Sequence, residues 1–331
     1  MQKIISHDKI FQLLSHLSKT YDIYAPIKKK AEIIFDKIIN PANIVFDYHT
    51  TILPPTIYLL PPEEKLFRIT SGHVREITLN KPFIIFGLNL KDLTAIIQLD
   101  QIMNKEPADT FYRKRRQMST LIAISNYKVT VPPGGDLIFE KLTPDKYRVI
   151  TVSDKGKKII ELDFFEENKI NHQANTNVPS TKLERMLLDS ELLARAVDWS
   201  RNNYPQILQK LGKLCLACGI CSYVCPLCYC YTIEDEITAN KSKCIRCRKR
   251  SACTLPGFAQ IAGGYDFRNT QKDRYFNWFY HKFVRAYKEF GQAQCTACGR
   301  CQKYCPAGID IEQVLDEIII EFKKKNKDRN I

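Results

Sequence analysis

Short apolar runs divided by proline pairs and charged residues fill the first half of the chain, and they predict a mixed α/β region over residues 1–175. Ile4, Ile5, Phe11, Leu14 and Leu17 recur near helical spacing and predict a first helix. β-rich runs follow at Tyr21–Ile27, Glu32–Phe35, Ile44–Tyr48 and Thr56–Leu60, punctuated by Pro54-Pro55 and Pro61-Pro62. Pro82–Gly87 is a continuous apolar run of the kind that a strand buried on both faces requires. Leu90–Met103 then carries Leu93, Ile96, Ile97 and Leu99 and suits a helix. Further strands are expected at Leu121–Ile124, Asp136–Leu142, Tyr147–Val152 and Lys158–Phe164, with the PPGGD stretch at 132–136 as a loop.

The pattern changes near residue 176. Asn171–Ser180 is polar and proline-bearing and reads as a linker. Thr181 with Glu184 three residues on forms a capping box, and Leu183, Leu187, Leu188, Leu192 and Val197 supply the apolar stripe behind it. Tyr275, Phe279, Phe283 and Tyr287 fall every four residues, predicting an aromatic helix whose bland role is packing. At the end of the chain Asp310 caps a helix with Ile311, Val314, Leu315, Ile318, Ile319 and Phe322 on one face. Lys323–Lys325 near its end suit the helix dipole. Residues 176–331 are thus expected to form a second domain.

The cysteines say what that domain holds. None of the thirteen precedes Cys215 and none follows Cys305. Cys215-x2-Cys218-x2-Cys221-x3-Cys225-Pro226 and Cys295-x2-Cys298-x2-Cys301-x3-Cys305-Pro306 are two copies of the bacterial ferredoxin run for a [4Fe–4S] cluster. In two-cluster ferredoxins the fourth cysteine ligates the other cluster. Cys215, Cys218, Cys221 and Cys305 are therefore expected around one cubane, and Cys295, Cys298, Cys301 and Cys225 around the other. The motifs stand 80 residues apart, which predicts a mainly α-helical dicluster ferredoxin domain rather than a minimal ferredoxin.

Five cysteines remain: Cys228, Cys230, Cys244, Cys247 and Cys253. A third metal site built from Cys230, Cys244, Cys247 and Cys253, with Cys228 as an alternative ligand, would take a further [4Fe–4S] cluster. Structural zinc is the alternative, since a CxxC pair with two distant cysteines fits Cys₄ zinc. Plain buried thiols are the third reading. A reactive metal at this site would make the chain a sulfur- or disulfide-reducing catalytic subunit, a second functional class beside electron transfer.

Outside the cysteines the sequence offers no catalytic signature. There is no G-x-G-x-x-G and no phosphate loop, and His7, His16, His49 and His73 are isolated. Arg113–Arg116 is a short basic run that reads as a solvated helix face or as a contact for an acidic partner. The formal charge is +14, and two thiolate-ligated clusters would lower it to about +10. The basic residues are spread along the chain without an aromatic-plus-basic reading motif, so nucleic acid is not the expected partner. The longest apolar runs span a few residues, the amino terminus carries no signal-peptide pattern, and a cytoplasmic protein is expected.

One family resemblance gathers these motifs. The runs CPLCYC (225–230), Ser251-Ala-Cys253, Gly257-Phe258, Ala262-Gly-Gly264, Arg268, Arg274, His281-Lys-Phe283 and CTACGRCQKYCPAGIDI (295–311) resemble one family of iron–sulfur subunits. That family serves anaerobic sulfite reductase and, as the beta subunit, cytoplasmic sulfhydrogenase. ILPPTIYLLPPEEKLF (52–67), FGLNLKDLTAIIQLD (86–100) and Asp109-x2-Tyr112-x3-Arg116 extend the resemblance through the first half. It implies an electron conduit linking a flavin- and NAD(P)-binding reductase subunit to a catalytic hydrogenase or sulfite reductase subunit. The chain departs from that pattern in two places. Lys91 stands where relatives often carry a cysteine, and Cys244 and Cys247 are additions.

Overall fold

The computed structural model describes residues 3–77, 81–167, 175–176, 180–240 and 242–326. The chain divides into two compact units: residues 1–179 with 235–247, and residues 180–234 with 248–331. Most of the linker expected over Asn171–Ser180 lies outside the described residues.

The first unit is built on an eight-stranded sheet. Its strands are β1 (Lys3–Ser6), β2 (Asp22–Lys29), β3 (Glu32–Lys37), β6 (Phe83–Leu88), β7 (Ser119–Ser125), β8 (Leu137–Thr143), β9 (Lys146–Thr151) and β10 (Glu166–Glu167), in the order β10-β1-β9-β8-β7-β6-β2-β3. The four strands β2, β6, β7 and β8 pair in parallel, and the rest are antiparallel. Every residue of β6 and β7 is buried, so the sheet centre is covered on both faces, as parallel strands demand. The apolar run at Pro82–Gly87 is β6, and the first unit is the sheet-rich α/β region that the pattern predicts.

Helices α1 (His7–Leu17), α2 (Leu90–Asn104), α3 (Thr110–Met118) and α4 (Asp154–Ile160) complete this unit. Their starts follow capping chemistry: Ser6, Asn89, Asp109 and Ser153 each accept a backbone N–H of the first turn. Four sequence expectations differ here. Ile4 and Ile5 belong to β1, because Ser6 caps the helix after them. Thr56–Leu60 is not a strand: Pro55–Tyr58 forms a 3₁₀ turn, entered through proline where a missing N–H costs nothing. Lys158–Phe164 is not a strand either, because the Ser153 cap commits Asp154–Ile160 to α4. Of Ile44–Tyr48, Ile44 alone bridges to a neighbour, Ile27.

The motif Asp109-x2-Tyr112-x3-Arg116 has a structural role. Asp109 caps α3, while the buried Tyr112 hydroxyl donates to Asp100 Oδ1 at 2.7 Å and Arg116 Nε donates to Asp100 Oδ2 at 2.9 Å. Burial and the adjacent Asp100 push the Tyr112 phenol far above its ordinary range, so it remains a donor. The rest of the basic run is also paired within the unit: Arg113 with Glu106, Lys114 with Glu76 and Arg115 with Glu64. Neither a bare solvated face nor an open acidic-partner site describes it.

A second sheet, absent from the sequence expectations, is ordered β11-β12-β4-β5 from Tyr231–Ile237, Lys243–Arg250, Glu63–Thr70 and His73–Glu76. The β11–β12 hairpin is cut from the stretch between the cysteine motifs, and its residues 235–247 count with the first unit. Opposite charges across the hairpin, Arg246 with Asp235 and Lys249 with Glu234, hold its register.

The second unit contains α5 (Lys182–Leu187), α6 (Ser190–Asn203), α7 (Pro205–Leu214), α8 (Ile220–Tyr223), α9 (Gln271–Phe279), α10 (Ala286–Phe290), α11 (Arg300–Lys303) and α12 (Ile311–Asn326). Thr181 and Glu184 form the capping box at α5. A six-residue π-helical turn, Tyr280–Arg285, joins α9 to α10. Trp278, Phe279, Phe283, Leu315 and Ile318 lie in one buried core with the inner faces of α6 and α7. Glu312 and Glu317 of α12 accept from Leu183 N–H and the Tyr204 hydroxyl, both at 2.7 Å. Among the described residues no helix is long and apolar enough to cross a membrane.

The Asp100 network generates a prediction. Tyr112→Phe keeps the ring and removes one hydrogen bond to a carboxylate, so it should cost about 1.5–3 kcal/mol of unfolding free energy. Urea denaturation checks it, and an unchanged midpoint would show that the hydroxyl contributes nothing.

Candidate metal centres

The two cysteine motifs fold alike. Ala217 and Ala297 both take φ of 51°, and Gly219 and Gly299 take φ of 77° and 75°. Left-handed alanine is strained. Its repetition at matching positions shows a loop shape imposed twice, one that curls the three leading cysteines around a hollow. Each glycine then opens a single helical turn, α8 or α11, which carries the third cysteine. The Ala217 N–H points to Cys215 Sγ at 3.4 Å, Leu227 N–H to Cys225 Sγ and Ile309 N–H to Cys305 Sγ at the same distance. Backbone donors aimed at sulfur favour thiolates.

Two cavities result. Cys215, Cys218, Cys221 and Cys305 line the first, together with Thr254, Tyr275, Trp278, Ile309 and Ile311. Cys295, Cys298, Cys301 and Cys225 line the second, with Leu183, Thr296 and Lys282. Cys301 also lines the first, so the hollows are neighbours. Each combines the three leading cysteines of one motif with cysteine from the other: Cys301 and Cys305 in the first, Cys225 in the second.

Their chemistry suits a cationic iron–sulfur core. Burial pushes the Cys221 thiol up to about 12 and the Cys295 thiol up to about 11, and it raises Cys215 and Cys301 as well. A thiolate is unfavourable in such a place unless a cation compensates it. Trp278 Nε1 in the first cavity and Thr296 Oγ1 in the second are buried with no partner among the described residues. Those are donors of the kind that cluster sulfurs accept. Exposure differs around the first cavity: Cys218 is exposed and Leu216 is 63% exposed, while Cys305 is partly covered.

The leftover cysteines fall in both units. Cys230 and Cys253 are in contact in the second unit, where the hydrogen bond from the Cys253 thiol brings Cys230 down to about 7 and raises its partner. Cys228 donates to Cys225 in the same unit, which holds Cys225 low against its burial. Cys244 and Cys247 lie on β12 and count with the first unit. The buried Cys247 has Glu63 and Glu236 as near neighbours, all three ligand atoms within 4.8 Å. The carboxylates carried no sequence signal, because β4 and β11 were not foreseen.

An open groove of about 660 Å³ lies elsewhere in the first unit, lined by Glu63, Glu64, Lys65, Glu76, Ile77, Phe111, Lys114 and Arg115 among others. Lys114 and Arg115 there are ion-paired to Glu76 and Glu64, and no cysteine, serine or histidine is among its lining residues.

Comparison with known proteins agrees with this geometry. Residues 214–309 match the family model of the 4Fe-4S dicluster domain, which covers both motifs and the segment between them. Over 334 aligned residues the chain is 28% identical to subunit beta of sulfhydrogenase 2 from Pyrococcus furiosus, covering 96% of this chain and 98% of the relative. No solved structure matches it. The full-length resemblance read from the sequence is thereby shown, and a 4Fe-4S dicluster domain lies at residues 214–309.

The paired glycines separate loop strain from packing. A Cβ on Gly219 would meet Ala252 Cβ and Tyr223 Cε2 at 2.9 Å, whereas one on Gly299 would meet nothing within 4 Å. Gly299→Ala should therefore cost about 1 kcal/mol from the left-handed backbone alone. Gly219→Ala should cost about 2–4 kcal/mol, because overpacking adds to the same strain. Chemical denaturation of the anaerobic protein compares them, and equal losses would mean that the Ala252 contact yields freely.

Proposed function

We propose that the protein is an iron–sulfur electron-transfer subunit of a multi-subunit oxidoreductase of the sulfhydrogenase or anaerobic sulfite reductase type. Cys215, Cys218, Cys221 and Cys305 hold one [4Fe–4S] cluster, and Cys295, Cys298, Cys301 and Cys225 hold the other. The observation that carries this reading is the pair of neighbouring cavities, each lined by cysteines of both motifs. The full-length likeness to a sulfhydrogenase beta subunit supports the same role. The clusters supply one-electron chemistry; the chain's residues fix ligand charge, hydrogen bonds to sulfur and access of water.

In this role the partners are a flavin- and NAD(P)-binding reductase subunit on one side and a hydrogenase or sulfite reductase catalytic subunit on the other. The exposed Cys218 and Leu216 give the first cluster an edge that a partner's redox group can approach. The remaining cysteines would serve a third site, either a further [4Fe–4S] cluster or zinc. Cys230 and Cys253 are its best-supported ligands because their sulfurs already meet.

Anaerobically purified protein should absorb broadly near 400 nm and contain about eight irons per chain for two cubanes, or about twelve for three. Eight irons with one zinc would assign the third site to zinc. Single Cys→Ser variants test the crossed ligation through the electron paramagnetic resonance (EPR) of the reduced protein. Cys305→Ser should alter the same cluster signal as Cys215→Ser, and Cys225→Ser the same signal as Cys295→Ser. If Cys305→Ser instead matches Cys295→Ser, each motif feeds a single cluster and the crossed assignment is wrong.

A further inference from the structure

The second cavity has a feature that the first lacks: a buried positive charge. Lys282, on the π-helical turn, is 3% exposed. Its Nζ donates to Cys225 Sγ at 3.2 Å and to the Gln294 carbonyl at 3.0 Å, and it sits 5.2 Å from the centre of the Trp278 ring. No carboxylate ion-pairs with it among the described residues. A lysine is rarely buried without an anionic partner, because its desolvation is expensive. Among the described residues the source of negative charge in contact with it is cysteine sulfur.

The first cavity is lined by no charged side chain. Arg274 stands near Cys215, but its Nη1 donates to the carbonyls of Arg268 and Asn269, both at 3.0 Å. Its charge is thus already held by backbone dipoles. The two ligand sets match in spacing and loop conformation, yet one has an ammonium in hydrogen-bond contact with a ligand sulfur.

We infer that Lys282 is the positioning charge that makes the two clusters unequal, setting the one held by Cys225, Cys295, Cys298 and Cys301 at the higher potential so that it is reduced first. The inference rests on the two-cluster reading above. Reduction adds one electron from an external donor to the cluster, breaks no bond and moves no proton. It takes cluster plus four thiolates from about −2 to about −3. A buried cation 3.2 Å from the Cys225 sulfur would stabilise the more negative state. With clusters bound, this order would favour transfer from the side of the exposed Cys218 and Leu216 toward Lys282.

The experiment is an EPR-monitored redox titration of the intact holoprotein with dithionite, for the wild type and for Lys282→Met, Lys282→Gln and Lys282→Arg. The wild type should show two distinct potentials. Both neutral variants should lower the higher one by at least a tenfold change in its reduction equilibrium, 59 mV for one electron. The other should move less, and Lys282→Arg should restore the wild-type order. Intact neutral variants with both potentials unchanged, or with the lower one shifted, overturn the inference, as does a wild type whose clusters titrate together. If the neutral variants lose a cluster, the wild type decides through lysine labelled with ¹⁵N at Nζ. Poised so that only the first-reduced cluster is paramagnetic, it should show a ¹⁵N coupling in pulsed EPR, and its absence overturns the inference. A wild type lacking two clusters would instead defeat the underlying two-cluster reading.

Discussion

Buried sulfur demands a counter-charge, and the second unit is arranged around that demand. Eight cysteines from two distant stretches of chain line two adjoining hollows, the first walled by apolar and aromatic side chains and the second by apolar ones with Lys282 and Thr296 among them. In that environment a free thiolate is penalised by desolvation, so the sites are poised for a cation that repays the burial. The surrounding features follow from that requirement. The strained alanines, the single-turn helices and the backbone N–H groups aimed at sulfur together fix where the cysteine sulfurs stand.

Local chemistry in the sequence was the most legible part. The spacing of each cysteine run, the Thr181–Glu184 box and the Asp310 start of the last helix are short-range patterns with one physical solution each. The buried strand at Pro82–Gly87 was legible for the same reason. Thr56–Leu60 and Lys158–Phe164 were misread because β-rich composition was weighed above the proline and the serine cap beside them. The hairpin from Tyr231 to Arg250 escaped notice because its strands are mostly charged and carry no apolar alternation toward a core.

Lys282 shows the limit of reading by pattern. In sequence it is one cation inside an aromatic helix, the kind of residue that ordinarily points to water. Only the packing of the π-helical turn against both the Cys225 segment and Gln294 reveals a buried ammonium on a ligand sulfur. The Asp109, Tyr112 and Arg116 motif has the reverse lesson. It resembles a functional signature, and its geometry is that of a cap and a carboxylate clamp that hold α2 and α3 together.

The central claim is that two thiolate-bound clusters sit side by side in one chain. The most direct measurement is the EPR spectrum of the fully reduced anaerobic protein with its spins quantified. About two spins per chain, with lines broadened by mutual magnetic interaction, is the result expected of clusters in adjoining cavities. A spectrum without such interaction, or an EPR-silent protein carrying zinc in place of iron, would contradict the account.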